Sequence, residues 1–176
     1  MRTLNSKSKA DLRRHYLEKQ KQLEPAARKR DSAIIRQRVL RHPAWQDATT
    51  VLVYVSYGAE VDTHQILTEA LQQKKRLIVP CVSKEGSMTL LSQLHRISDL
   101  APGFFKNILE PPPGKREIVD PIEVEVALIQ GVAFDRQGGR LGRGGGAFRS
   151  HSAQHDECSS LGIGVLRPSA SETFTP

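Results

Sequence analysis

Between Gly131 and Gly146 the chain reads GVAFDRQGGRLGRGGG, which sets seven glycines around the cations Arg136, Arg140 and Arg143. Glycine lets backbone N–H groups turn inward and approach a ligand closely, and arginine adds a planar fork that matches phosphate oxygens. The chemistry favoured by this pairing is the cradling of an anion, a phosphate above all. The segment follows directly on an apolar run that ends at Gln130, and the C-terminal edge of a strand is where open α/β sheets place ligands. Composition leaves two other uses open, a flexible RGG-like loop for RNA and a mobile surface loop. A Walker A loop is excluded because no Gly-Lys-Ser/Thr follows at the required spacing, and the GxGxxG dinucleotide fingerprint is not met.

A second source of positive charge lies at the other end of the chain. Residues 1–42 hold 13 Lys and Arg against 4 Asp and Glu, and residues 43–176 hold 13 against 15. The formal excess of +7 is therefore an N-terminal property. Such a segment suits a polyanion or the phosphates of a small molecule, although a solvated helix face is the commoner use of scattered cations. Glu60 and Asp62 could form an acid/base pair, but alternate residues of a loop need not face one another, and Asp62 suits a helix N-terminus equally well. His151 and His155, with Asp156, Glu157 and Cys158 beside them, could hold a metal if helical; without an HExxH pattern an exposed polar tail is the plainer reading. Asp135 reads as a turn residue. Cys81 and Cys158 stand far apart and in no CxxC pattern, so two reduced thiols are expected, Cys81 buried in a strand.

These residues need elements to carry them. Ser6 or Ser8 is a candidate N-cap for a helix running to about Leu23, and Pro25 opens a second that His42-Pro43 stops. Trp45 is expected in the core. VLVYVS, Val51 to Ser56, reads as a strand, Thr63 as the N-cap of a helix bearing Ile66, Leu67, Ala70 and Leu71, and RLIVPCV, Arg76 to Val82, as the next strand. Strand, helix, strand is the βαβ signature of a parallel sheet covered by helices. Further strands are expected at Met88–Leu94, Val124–Gln130 and Leu161–Leu166. The five prolines between Ala101 and Pro121 predict a long surface loop. A hydrophobic content of 38% at this length supports one α/β domain, and no apolar run reaches the roughly 20 residues that span a bilayer. The N-terminus has no apolar stretch behind its basic start, so a cytoplasmic protein without membrane partners is expected.

The run FDRQGGRLGRGGG, the segment KADLR from Lys9 to Arg13 and YVSYGAEVDT from Tyr54 to Thr63 together resemble the 5-formyltetrahydrofolate cyclo-ligases, also called methenyltetrahydrofolate synthetases. The match runs in order from about Lys9 to Gly146. The resemblance implies a single three-layer Rossmann-like domain over residues 1–176, with a mostly parallel sheet and helices on both faces. It also implies ATP- and Mg²⁺-dependent conversion of 5-formyltetrahydrofolate to 5,10-methenyltetrahydrofolate. It assigns ATP contacts to Lys9, Ala10, Asp11, Leu12 and Arg13, and to Arg140, Leu141, Gly142, Arg143, Gly144, Gly145, Gly146, Ala147 and Phe148. Substrate contacts fall on Val55, Glu60, Arg143, Gly144, Gly145, Gly146 and Ala147, and the catalytic charge on Arg140 and Arg143. Where the family has Tyr-Tyr-Asp after the glycines, this chain has Ala147-Phe148-Arg149, so an aromatic contact and an acid associated with magnesium are replaced. Asp135 and Asp156 are the nearest carboxylates that could substitute, each reading more simply as a turn or capping residue, and the metal ligands stay unassigned. The chain also ends at Pro176, short of the family's closing segment. A folate- or nucleotide-binding pseudoenzyme is thus the second reading and an RNA-binding protein the third. A monomer that binds no nucleic acid is expected.

Overall fold

The described residues of the computed structural model are 8–83, 89–105, 108–135, 139–143 and, as backbone, 159–163. Ser8 opens helix α1, Lys9–Lys21, its hydroxyl accepting the Asp11 N–H at 3.2 Å. Of the two candidate caps, the described one is Ser8; Ser6 lies outside the described residues. Pro25 starts α2, Pro25–Arg41, where its missing N–H costs nothing. His42 ends it and caps the short α3, Pro43–Asp47, by accepting the Ala44 N–H on Nδ1 at 3.2 Å. Trp45 is fully buried there, its indole N–H donating to Gln73 Oε1 at 3.3 Å.

The main sheet is built on β1, Thr50–Val53, all four residues of which are buried. The chain crosses over through α4, His64–Gln72, to β2, Arg76–Val82, which lies parallel to β1 with Val51 opposite Leu77. On the other side of β1 runs β7, Val126–Gln130, also parallel, with Val51 opposite Val126. Beyond it lies β10, Ser159–Ile163, parallel again. The far edge carries β3, Thr89–Gln93, and β6, Glu117–Ile118, so the order is β10-β7-β1-β2-β3-β6 with antiparallel pairing only at β2–β3 and β3–β6. This is the helix-flanked, mostly parallel α/β sheet expected. Its central strands read as unbroken apolar runs because both faces are covered. Burying each such Val, Leu or Ile contributes on the order of 1.5–3 kcal/mol.

Two expectations are corrected. β1 stops at Val53 instead of reaching Ser56, because the Thr63 hydroxyl donates to the Tyr54 carbonyl at 2.7 Å and accepts the Ser56 N–H at 3.1 Å. Thr63 is the N-cap residue of α4 as expected, its carbonyl accepting the Leu67 N–H at 2.9 Å, but its hydroxyl is committed to the segment after β1, and Asp62 Oδ1 accepts the His64 N–H at 2.9 Å. The segment from Ala101 to Pro121 is not a plain surface loop. It contains the paired β4, Ala101–Pro102, and β5, Leu109–Glu110, a 3₁₀ turn at Pro113–Lys115, and β6 of the main sheet. Prolines limit the length of each piece but do not prevent anchoring.

The anchor is Glu110, 2% exposed. Its carboxylate accepts the Val82 N–H at 2.7 Å and the Phe104 N–H at 2.8 Å, and lies 3.3 Å from Arg116 Nη2. Arg116 in turn donates to the carbonyls of Val82 and Pro111. A methyl group at Gly103 would overlap the Glu110 side chain, which explains the glycine. Removing one partner of such a buried pair leaves an uncompensated charge and costs about 3–5 kcal/mol. Glu110→Ala should therefore lower the unfolding free energy, extrapolated from urea titrations followed by circular dichroism, by an amount in that range, whereas the same substitution at the exposed Glu117 should leave it nearly unchanged.

Candidate active site

The chain leaves β1 toward β2 and returns to the other side of β1 as β7, so the sheet has a switch point between β1 and β7. Ligands of open α/β sheets bind outside the carboxyl ends of strands at such a point. Here the two exits are the Tyr54–Glu60 segment after β1 and the glycine-rich segment after β7. Gly58, at φ +62°, lets the first exit fold back on itself, so that the Glu60 N–H reaches the Tyr57 carbonyl at 3.4 Å and Glu60 Oε2 accepts the Tyr57 N–H at 3.0 Å. Glu60 ends up 8% exposed.

The second exit forms a short hairpin of β8, Ala133–Phe134, and β9, Arg140–Leu141. Asp135 Oδ1 accepts the Gly139 N–H at 2.6 Å in its turn, the role its residue type suggests. Helix α1 lies along this hairpin, with Gln20 Nε2 donating to the Val132 carbonyl at 3.2 Å and Arg13 Nε to the Gly142 carbonyl at 2.8 Å. Arg140 is turned inward, Nη1 donating to the Gln130 carbonyl at 3.0 Å, and burial lowers its pKa. Arg143 reaches across to the first exit: Nε lies 3.2 Å from Glu60 Oε1, Nη1 donates to Tyr57 Oη at 2.8 Å, and the guanidinium carbon sits 4.9 Å from the Tyr57 ring centroid.

Three stretches far apart in sequence therefore meet through two contacts, Arg13 with Gly142 and Arg143 with Glu60. Lys9 stands one turn before Arg13 on α1, and both Lys9 and Ala10 are exposed. Leu12 is partly buried, and Asp11 is bound to Ser8 and Arg14. Leu141 is buried in β9, and Val55 is buried within the core cluster. Glu60 and Asp62 do not act as a pair, since Glu60 turns to Arg143 while Asp62 turns to His64, whose Nδ1 lies 3.0 Å from its carboxylate. Arg136, Gly144, Gly145, Gly146, Ala147, Phe148 and Arg149 lie outside the described residues, as do His151, His155, Asp156, Glu157 and Cys158. Among the described residues no group of three or more His, Cys, Asp or Glu converges on a metal position. Mg²⁺ commonly keeps several waters and binds through substrate phosphates with one or two carboxylates, so these residues alone do not supply its ligand set.

The sequence model of the 5-formyltetrahydrofolate cyclo-ligase family matches residues 5–165. The chain belongs to this family. A mitochondrial 5-formyltetrahydrofolate cyclo-ligase of Arabidopsis thaliana is 32% identical over 142 residues, covering 73% of this chain and 51% of that protein. The Mus musculus enzyme of the same name is 28% identical over 163 residues, 88% of this chain and 79% of its own length. The chain thus spans about half of the plant relative and over three quarters of the mouse one. The NMR structure of an Aquifex aeolicus 5,10-methenyltetrahydrofolate synthetase superposes with a TM-score of 0.76 at 28% identity, over 94% of this chain and 85% of that one.

Within the cyclo-ligase fold, the structure adds residues that sequence reasoning did not single out. A cleft of about 580 Å³ opens between α2 and the segment after β1, with Arg28, Ser32 and Arg36 on one wall and Tyr57, Glu60 and His64 on the other. Tyr57 belongs to the segment YVSYGAEVDT, but its contact with an arginine 86 positions away is a product of folding. Arg28 and Arg36 were part of the general N-terminal charge, and nothing in their spacing distinguished them.

Burial raises the Glu60 pKa, against the opposing pull of the Tyr57 N–H and the Arg143 charge. A carboxylate whose folded pKa exceeds its unfolded value makes the fold lose stability as pH rises from the unfolded pKa through the folded one. Partial burial acts the same way on Asp62, but the His64 N–H, its imidazole and Arg36 outweigh it and hold that pKa below the usual range. Glu60→Gln removes the first effect only. Its stability relative to the parent should therefore climb between about pH 4.5, the ordinary value for Glu, and neutrality. Urea midpoints measured across that interval check the sign, and a difference that falls with rising pH would contradict it.

Proposed function

We propose that this chain converts 5-formyltetrahydrofolate to 5,10-methenyltetrahydrofolate with conversion of ATP to ADP and phosphate. The observation that carries the reading is the convergence of its three family motifs, joined by Arg13 to the Gly142 carbonyl at 2.8 Å and by Arg143 to Glu60 at 3.2 Å. Lys9 and Arg13 supply positive charge on one side of the triphosphate and Arg143 on the other. Glu60 presents a carboxylate to the pterin, whose N–H groups it can accept. Arg140, clamped to Gln130, keeps a charge behind the loop and holds the hairpin that carries Arg143.

The formyl oxygen attacks the γ-phosphorus and ADP leaves. The second folate nitrogen then attacks the activated formyl carbon, the five-membered ring closes and phosphate departs. Phosphoryl transfer needs positioning and charge neutralisation more than a covalent nucleophile, and arginines with backbone N–H groups meet that need. Mg²⁺ bound to the nucleotide would add charge neutralisation at its phosphates. The N-terminal excess of Lys and Arg serves these phosphates and not a nucleic acid, and the protein acts as a cytoplasmic monomer.

Ala147-Phe148-Arg149 supports a second reading, in which both ligands bind and turnover is lost. Incubating the purified chain with 5-formyltetrahydrofolate and Mg-ATP, and following the absorbance of the methenyl product, separates the two: product formation establishes the enzyme, and calorimetric binding of both ligands without product establishes the pseudoenzyme. Replacing Lys9 and Arg13 together by Ala should weaken ATP binding by at least about tenfold, as loss of charged hydrogen bonds worth roughly 1.5–3 kcal/mol each implies. The affinity for the folate should stay within about twofold. Equal losses for both ligands would reject this division between the two sides of the site.

A further inference from the structure

We propose that Tyr57 is a positioning residue for Arg143, fixing its guanidinium between the Glu60 carboxylate and the phosphate side of the site. The proposal rests on the reading that Arg143 meets the nucleotide. Tyr57 touches both members of the ion pair. Its backbone N–H donates to Glu60 Oε2 at 3.0 Å, its hydroxyl accepts from Arg143 Nη1 at 2.8 Å, and its ring lies beneath the guanidinium at 4.9 Å. With Nε 3.2 Å from Glu60 Oε1 in an ion pair, the guanidinium is held by one hydrogen bond, one ion pair and the face of a ring. An arginine beside several glycines needs such an outside support, because the chain around it is permissive and the side chain long. Positioning errors of about 1 Å at a reacting group can cost as much as 10²-fold in rate.

The surroundings of Tyr57 separate this role from packing. Tyr57 is only partly buried, lines the cleft and is not part of the core cluster. Three residues earlier, Tyr54 is 2% exposed, belongs to that cluster and donates its hydroxyl to the Val61 carbonyl at 3.2 Å. One segment thus presents a tyrosine that supports the fold and a tyrosine that supports an arginine. Tyr54→Phe is the internal control.

The test measures turnover, binding of the non-hydrolysable analogue AMP-PNP, and thermal midpoint for the parent, Tyr57→Phe, Arg143→Ala, the double variant and Tyr54→Phe. Tyr57→Phe should reduce kcat about 3- to 30-fold, within the limit that misplacement allows. It should weaken AMP-PNP binding, leave KM for the folate within about twofold and leave the midpoint nearly unchanged. In the Arg143→Ala background the Phe substitution should have no further effect, since residues acting through one group are not additive. Tyr54→Phe should lower the midpoint and keep the parent kcat per folded molecule. Parent-like kcat and AMP-PNP affinity in Tyr57→Phe, or a midpoint lowered as far as in Tyr54→Phe, would overturn the positioning role while leaving the proposed reaction intact. If the parent forms no product but binds AMP-PNP, the reaction fails and the analogue affinities decide: non-additive losses at Tyr57 and Arg143 uphold the role, and additive losses overturn it. A parent that binds no AMP-PNP refutes both.

Discussion

A carboxylate taken out of water must find partners, and Glu60 finds them in two places that only a particular fold can bring together. One is the N–H of Tyr57, three residues away; the other is Arg143, on the far side of the sheet's switch point. Burial alone pushes its pKa up, and the arginine and the amide work against that. The pair places a buried acid and a cation side by side at the edge of the cleft. It also ties the segment after β1 to the loop after β7, so the geometry of the site and the closing of this edge of the molecule depend on one contact.

The scaffold delivers these groups by ending its strands at defined places. β1 is cut short at Val53 by the Thr63 hydroxyl, which occupies the Tyr54 carbonyl and the Ser56 N–H that a longer ladder would use. The freed segment then turns at Gly58, the described glycine with positive φ. On the other side, the β8–β9 hairpin is pinned by α1 through Gln20 and Arg13 and by Arg140 to Gln130. The strands end where the cleft begins, and side-chain hydrogen bonds set the boundaries.

Away from the site the same device recurs at Glu110, a second buried carboxylate with an arginine and two backbone amides. There the result is structural: it fastens a proline-rich excursion to the end of β2. Cys81 lies on that strand, its thiol pushed up to about 11 by burial, which suits a packed side chain and not a nucleophile. One of the two carboxylates lines a cleft and the other closes a joint.

Much of this protein was determined locally and could be read from order alone. The apolar runs of β1, β2 and β7, the proline that starts α2, the His42-Pro43 stop and the glycine–arginine segment follow from propensities and patterns that act over a few residues, and the three motifs carried the family. What tertiary structure alone decided lies in contacts between distant residues. No local rule sends Arg143 to Tyr57 and Glu60, Arg13 to the Gly142 carbonyl, or Glu110 to Arg116, and none says that the hydroxyl of Thr63, the N-cap residue of α4, will end a strand. Nor could prolines between Ala101 and Pro121 reveal that a buried ion pair would organise them. Hydrogen bonds and ion pairs of buried polar groups are satisfied wherever the folded chain offers a partner, and sequence separation places no limit on where that partner stands.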